Sequence, residues 1–353
     1  MPSIRNGLVS TLDSFAAWWR GRAIHAASTP ARASRRVRLA ETPVFDEAPA
    51  QAPAEESLRQ FLAFALDDSR DEPPDEELLA LLEPMIRTAS GALTRMEVQA
   101  RYLPRRPSLL PKLLSAMSSD ANSMRDLAAI IGGDPTLLGN LLRVANSVFY
   151  RASGKPVDSL ERAVTRVGTD GIRSVIATAL VHPVMASGSG WFAKFPETIW
   201  EQTQYAADAA EAHAQQVERV DGFSARLLAL VHGLATNTVF RIVRDEVLVG
   251  RSEAAKPAVV KLLDRWVAPT ARRIAASWDL PPELQFVLDS PPDQSPLGRS
   301  LFFGRLAGAQ IVMVRRGRVK EASARATLLA SDTRRMQVDR LWNRIAASTL
   351  HAR

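Results

Sequence analysis

From residue 102 onward, apolar residues recur at intervals of three and four, and the pattern pauses only at Gly, Pro and Asp-Pro punctuation. That spacing lines one face of a helix. It predicts helices at 113–117, 124–131, 135–146, 159–167, 172–181, 197–219, 222–245, 254–277, 281–289, 295–315 and 332–350. Upstream, 57–66 and 76–101 read the same way. The boundaries have physical signals. Ser123 with Asp126 resembles a capping box, and Gly132-Gly133 ends the helix it opens. Asp134 followed by Pro135 is a strong start, because Asp accepts from orphan amides and Pro has no amide to waste in the first turn. Ser159 opens a helix that Gly168 closes. Period-two alternation is nearly absent, so the expected fold class is all-α.

The flanks differ from this body. Residues 1–40 form a basic arm with Ile4, Leu8, Leu12, Phe15 and Trp19 at helical spacing. Trp18, Trp19, Arg20 and Arg22 suit a membrane interface, with rings at headgroup depth and guanidinium groups near anionic lipid. A helix docked on the protein itself, or an organelle transit peptide, fits the same composition. Residues 41–56 are a Pro/Ala/Glu linker expected to stay extended. The expected division is then a helical region at 57–101, a central domain at 102–298 and a basic helical extension at 299–353. The net charge of +7 is uneven: +6 on residues 1–40, +9 on residues 299–353, and −8 between them. The basic tail, with Arg315-Arg316 and Arg334-Arg335, is suited to phosphates. It has little aromatic interleaving, so complementing the acidic middle is the favoured role and nucleic acid is disfavoured.

Composition narrows the chemistry. With no Cys, the chain has no thiol nucleophile, disulfide or Cys-ligated metal. No run of about 18 apolar residues spans a membrane. Walker-type loops, His-Glu-x-x-His and Gly-x-Ser-x-Gly are missing. The five His residues include no pair four apart on a helix. His232 lies in the apolar run 227–234 and is followed by Gly233, where a metal site would want a carboxylate. A buried His that finds protein partners or stays neutral is the simpler reading. Asp134 is most simply an N-cap, and Asn146 with Ser147 a helix end. Arg143, Asn146 and Tyr150 would share one face if that helix continued, and would make a polar platform for a partner.

Several of these segments together resemble the HDOD domain. They are Leu109-Leu110-Pro111, Asp134-Pro135-Thr136-Leu137-Leu138, Leu141-Leu142-Arg143-Val144-Ala145-Asn146-Ser147 with Phe149-Tyr150, Pro156-Val157-x-Ser159-Leu160 with Ala163-Val164, and Val167-Gly168. The resemblance is dense over 103–181 and weaker to about residue 291. It implies an HDOD-type multi-helix domain related to the HD phosphohydrolases but without their metal ligands. Gln202 follows Trp200-Glu201 where a ligand His could stand, and the His-Asp doublet reads His232-Gly233. Asp134, Pro135, Arg143, Asn146, Ser147 and Tyr150 carry the family motif and are the candidate interaction surface.

The resemblance implies a cytoplasmic bacterial regulator, with contact at the inner membrane if the basic arm binds lipid. Such a protein would act without cofactor or catalysis in cyclic-di-GMP-related or two-component signalling. Its partners would be signalling proteins, with a nucleotide-type ligand as an occupant of the vestigial cleft. Two alternatives stand beside it. One is a divergent metal-dependent phosphohydrolase using His232, His213 or Asp208. The other is a nucleic-acid-binding regulator using the basic termini.

Overall fold

A computed structural model describes residues 51–66, 76–95, 192–245 and 255–350, with short pieces between 104 and 177. The described elements are all helical, and no strand occurs among the described residues. They are α1 (Gln51–Leu66), α2 (Glu76–Arg95), α3 (Phe195–His213), α4 (Gly222–Val243), α5 (Lys256–Ser277), α6 (Pro282–Val287), α7 (Pro296–Arg315), α8 (Glu321–Ala330) and α9 (Arg335–Thr349). The all-α expectation holds. Asp134, Pro135, Arg143, Asn146, Ser147 and Tyr150 lie outside the described residues, as do Trp18, Trp19, Arg20 and Arg22.

The centre is a stack in which α4 packs between α3 and α5, and α7 lies on the other side of α3. Nearly every residue of α4 is buried, as expected of a helix apolar around its whole circumference. Asp221 caps it, its carboxylate accepting from the Ser224 amide at 2.8 Å. A π-helical turn at Ala214–Glu218 extends α3. It ends at Arg219, whose φ of 60° is left-handed. Ser295 caps α7 by accepting from the Gly298 amide at 2.9 Å, with Pro296 in the first turn.

The α3–α7 contact is unusually close because of two glycines. A Cβ on Gly304 would lie 2.5 Å from the Ala206 carbonyl oxygen, and one on Gly308 would lie 2.6 Å from that of Gln202. Backbone therefore meets backbone along this seam. The boundary expected at 298/299 falls inside α7, whose Phe303, Leu306 and Ala307 are buried. The basic C-terminal region thus begins as a central helix.

Two other expectations change. Helix α1 begins at Gln51, so residues 51–56 are helical rather than extended. Pro53 sits in the first turn, where its missing amide costs no hydrogen bond, and Ala54, Glu55 and Glu56 favour helix. Helix α8 was not evident from periodicity, because it buries only Ala324 and Leu328.

The outer helices are tied down by side chains. The Trp266 indole donates to Ser90 Oγ at 3.2 Å and Arg273 donates to the Leu93 carbonyl at 3.1 Å, fixing α2 on α5. Gln310 Nε2 donates to Ser57 Oγ at 2.7 Å, fixing α1 on α7. Trp342 anchors α9 in a second apolar cluster with Phe303, Leu306 and Leu328.

Candidate functional site

A cavity of about 200 Å³ opens where α1, α3, α4, α5 and α7 converge. Leu58, Leu263, Leu301 and Phe302 supply much of its apolar wall, Gln202, His232, Thr236 and Arg305 line it with polar groups, and Glu55 and Asp264 add carboxylates. Two of the three positions flagged in the sequence, Gln202 and His232, therefore do meet in one cleft. The third does not join them. Gly233 is absent from the lining, and a Cβ there would lie 2.1 Å from Thr203 Oγ1 on α3. Thr203 is fully buried and donates to the Ile199 carbonyl at 2.6 Å. The space beside position 233 is thus occupied by the side chain of a neighbouring helix.

Helix geometry fixes the remaining groups. Thr236 Oγ1 donates to the His232 carbonyl one turn earlier, at 3.0 Å. Gln202 Nε2 donates across to the Arg305 carbonyl at 3.1 Å, which makes it a brace between α3 and α7. The His232 ring makes no hydrogen bond among the described residues. Burial, and then the charge of Arg305, drive its pKa well below the ordinary value. It is neutral at pH 7, offering one N–H and one lone pair.

Arg305 is the cation of the cleft. The residue as a whole is half-buried. Its guanidinium is enclosed enough that burial draws its pKa down to about 10, against opposing pulls from Asp264 and Glu55. Those carboxylates belong to α5 and α1 on the cavity wall, and both are exposed. Arg59 already bridges them, at 3.6 Å from Glu55 and 3.3 Å from Asp264. Sequence reasoning counted Arg305 only as one charge of a basic tail. The available signal was Gly304-Arg305-x-x-Gly308, a cation between two small residues within the mainly apolar run 301–314.

These residues do not fit the metal that the HD phosphohydrolase resemblance implies. A divalent ion needs carboxylate or imidazole donors in number. Here a neutral imidazole faces a guanidinium, an amide occupies the position suited to a ligand His, and the doublet position has no donor. A metal beside Arg305 would also meet a like charge. The residues named for a divergent hydrolase are not brought together either. Asp208 pairs with Arg226 on the α3–α4 surface, and His213 sits in a separate cluster.

That second cluster joins the C-terminal helices to the core. His213 is buried, with Nδ1 3.1 Å from Ser300 Oγ and Nε2 3.1 Å from Asp332 Oδ2. Glu218, 1% exposed at its side chain, takes Arg299 Nε at 2.7 Å and also Arg334. Burial alone would raise the Glu218 carboxyl, but bonds to Arg299 and Arg334 hold it below the usual range. Burial likewise opposes ionisation of Asp332, and the His213 bond and the Arg334 amide overcome it. Among the described residues this is the one group of three potential metal donors. Glu218 is already engaged by two guanidinium groups, and Asp332 by the His213 ring and the Arg334 amide, so the group acts as a structural clasp. The serine, histidine and aspartate have the order of a nucleophilic triad, but His213 and Ser300 are fully buried and no substrate reaches them. Elsewhere on the tail, Arg316 meets Glu201 at 2.9 Å. The basic extension thus spends part of its charge on acids of the body.

No described helix is long and apolar enough to cross a membrane. No curated protein matches the chain. Among solved structures, an HDOD domain protein of unknown function from Geobacter sulfurreducens has a TM-score of 0.54 at 15% identity. The match covers 75% of this chain and 96% of that one. A Shewanella amazonensis SB2B protein provisionally named a metal-dependent phosphohydrolase gives 0.49 at 18% identity, covering 73% of this chain and 99% of that one. At these identities the likeness concerns the fold alone. The HDOD domain profile matches residues 103–290, more than half of the chain. The chain belongs to the HDOD family.

Proposed function

We propose that this protein is a non-catalytic regulatory adaptor, in which the ancestral hydrolase cleft has become a junction between the HDOD core and its flanking helices. The observation that carries the reading is the contact of Gly233 with Thr203. Where a hydrolase of the HD type needs a carboxylate to hold a metal and activate water, this chain packs one helix on another. The charge in the cleft comes instead from Arg305, on a helix beyond the matched residues.

An adaptor of this kind works by presenting helical surface to a signalling partner, and the motif segment around Arg143, Asn146 and Tyr150 is the candidate surface. A cytoplasmic location and a role beside cyclic-di-GMP or two-component signalling belong to the same reading. Helices α1 and α7 both line the cleft, so a change there is felt at both ends of the family domain.

The test is turnover. The full chain is assayed on a phosphomonoester and a phosphodiester with added Mn²⁺, Mg²⁺ or Fe²⁺. The reading predicts rates equal to the protein-free blank. Metal-dependent turnover that disappears in His232→Ala would overturn it.

A further inference from the structure

We infer that the cleft around Arg305 binds a small oxyanion, a carboxylate or a phosphate monoester carried on a short apolar body. The inference rests on the non-catalytic reading above and names what the cleft would hold.

The first ground is a charge matched only in part. Other arginines enclosed by this fold have carboxylate partners: Arg226 holds Glu211 and Asp208, and Arg299 holds Glu218. Arg305 makes neither an ion pair nor a side-chain hydrogen bond among the described residues. The nearby acids offset it only in part, because Glu55 and Asp264 are exposed and already share Arg59. A half-buried guanidinium whose nearest carboxylates are exposed and bonded elsewhere is only partly compensated, and an anion entering the cavity would complete its pairing.

The second ground is rigidity. Arg305 lies between Gly304 and Gly308, whose backbones seat α7 directly against the backbone of α3. Its carbonyl is held by Gln202. The guanidinium is therefore presented from a fixed backbone, and its planar fork suits two oxygens of one carboxylate or phosphate. Neutral His232 adds one N–H without repelling the guanidinium.

The third ground is size. The cavity of about 200 Å³ is below the roughly 300–1,000 Å³ of pockets for drug-sized ligands. Its apolar wall suits a chain of a few carbons. A whole nucleotide is therefore not the expected occupant.

The full chain would be titrated with sodium butyrate and with butyl phosphate at constant ionic strength, with butylamine as the control of opposite charge. Binding would be followed by calorimetry and by melting temperature. The inference predicts saturable binding of at least one anion and none of butylamine; which anion binds selects carboxylate or phosphate. Arg305→Met should bind at least tenfold more weakly, and without ligand it should melt higher than the native chain, because a partly compensated charge has gone. Should that variant fail to fold, Arg305→Lys keeps the charge without the fork, and at least tenfold weaker binding is expected there.

No binding of either anion by the native chain would overturn the inference, and so would undiminished binding in the folded Arg305 variant. A lower melting temperature for Arg305→Met would mark the residue as structural and overturn it too. These failures leave the non-catalytic reading standing, since only metal-dependent turnover removes that.

Discussion

Adding a single methyl group at Gly233 tests the contact on which the functional reading depends. The new Cβ of Gly233→Ala would lie 2.1 Å from Oγ1, 2.5 Å from Cγ2 and 2.8 Å from Cβ of Thr203. Ordinary contacts between carbons are about 3.5–4.0 Å, so the helices must part or Thr203 must turn. Thr203 cannot turn freely, because it is fully buried and bonded to Ile199 at 2.6 Å. Overpacking of this kind costs about 1–3 kcal/mol. Ala in place of Gly inside a helix offsets about 1 kcal/mol of that. Three contacts of 2.1–2.8 Å place the overpacking at the upper end of that range, so the expected net loss is about 2 kcal/mol, read as a lower midpoint in urea unfolding at unchanged slope. Thr203→Ala removes the two nearest atoms, so in the double variant the two changes should couple favourably by about 1 kcal/mol. If Gly233→Ala is as stable as the native chain or more so, helix propensity alone decides the outcome and the packing argument fails.

Three further predictions follow from the charges and the helix seam. His232 has a depressed folded pKa, so below about pH 6.5 the unfolded chain takes up a proton that the folded one refuses. Stability should be full above that pH and fall as pH drops, by at most about 1.4 kcal/mol per pH unit from this group; His232→Asn should flatten that part of a urea-midpoint profile. Glu218 and Asp332 are depressed carboxyls, so their stabilisation is present above their unfolded values and lost as pH falls through the folded ones. Glu218→Ala should shrink that acid-range loss and cost about 2 kcal/mol at pH 7, less than a fully buried pair because Arg299 and Arg334 are 33% and 37% exposed. Gly308→Ala should cost more than Gly233→Ala in the same assay, because its nearest neighbour at 2.6 Å is the Gln202 backbone oxygen and cannot rotate aside.

Periodicity and punctuation made much of this fold legible. The helices expected at 222–245, 254–277 and 295–315 occur as α4, α5 and α7 to within two residues. Their long apolar stripes and signals such as Ser295-Pro296 leave few alternatives. The early start of α1 and the existence of α8 were harder to see, because both depend on small residues with little amphipathic contrast. The site was half legible. Gln202 and His232 stand out once the family motif is aligned, and they share a cleft. Arg305 did not stand out, because a charge on a distant helix becomes part of a site only through packing. Gly233 could be recognised as a missing ligand, but only the structure reveals that Thr203 fills its place.

The most direct test of the central claim is the metal content of native full-length protein, purified without chelator and measured by elemental mass spectrometry. The account predicts no transition metal near stoichiometry, because the His232 imidazole sits beside a guanidinium and the two carboxylates on the wall are held by Arg59. A near-stoichiometric ion that is lost in His232→Ala but kept in His213→Ala would place a working metal centre in the cleft and contradict it.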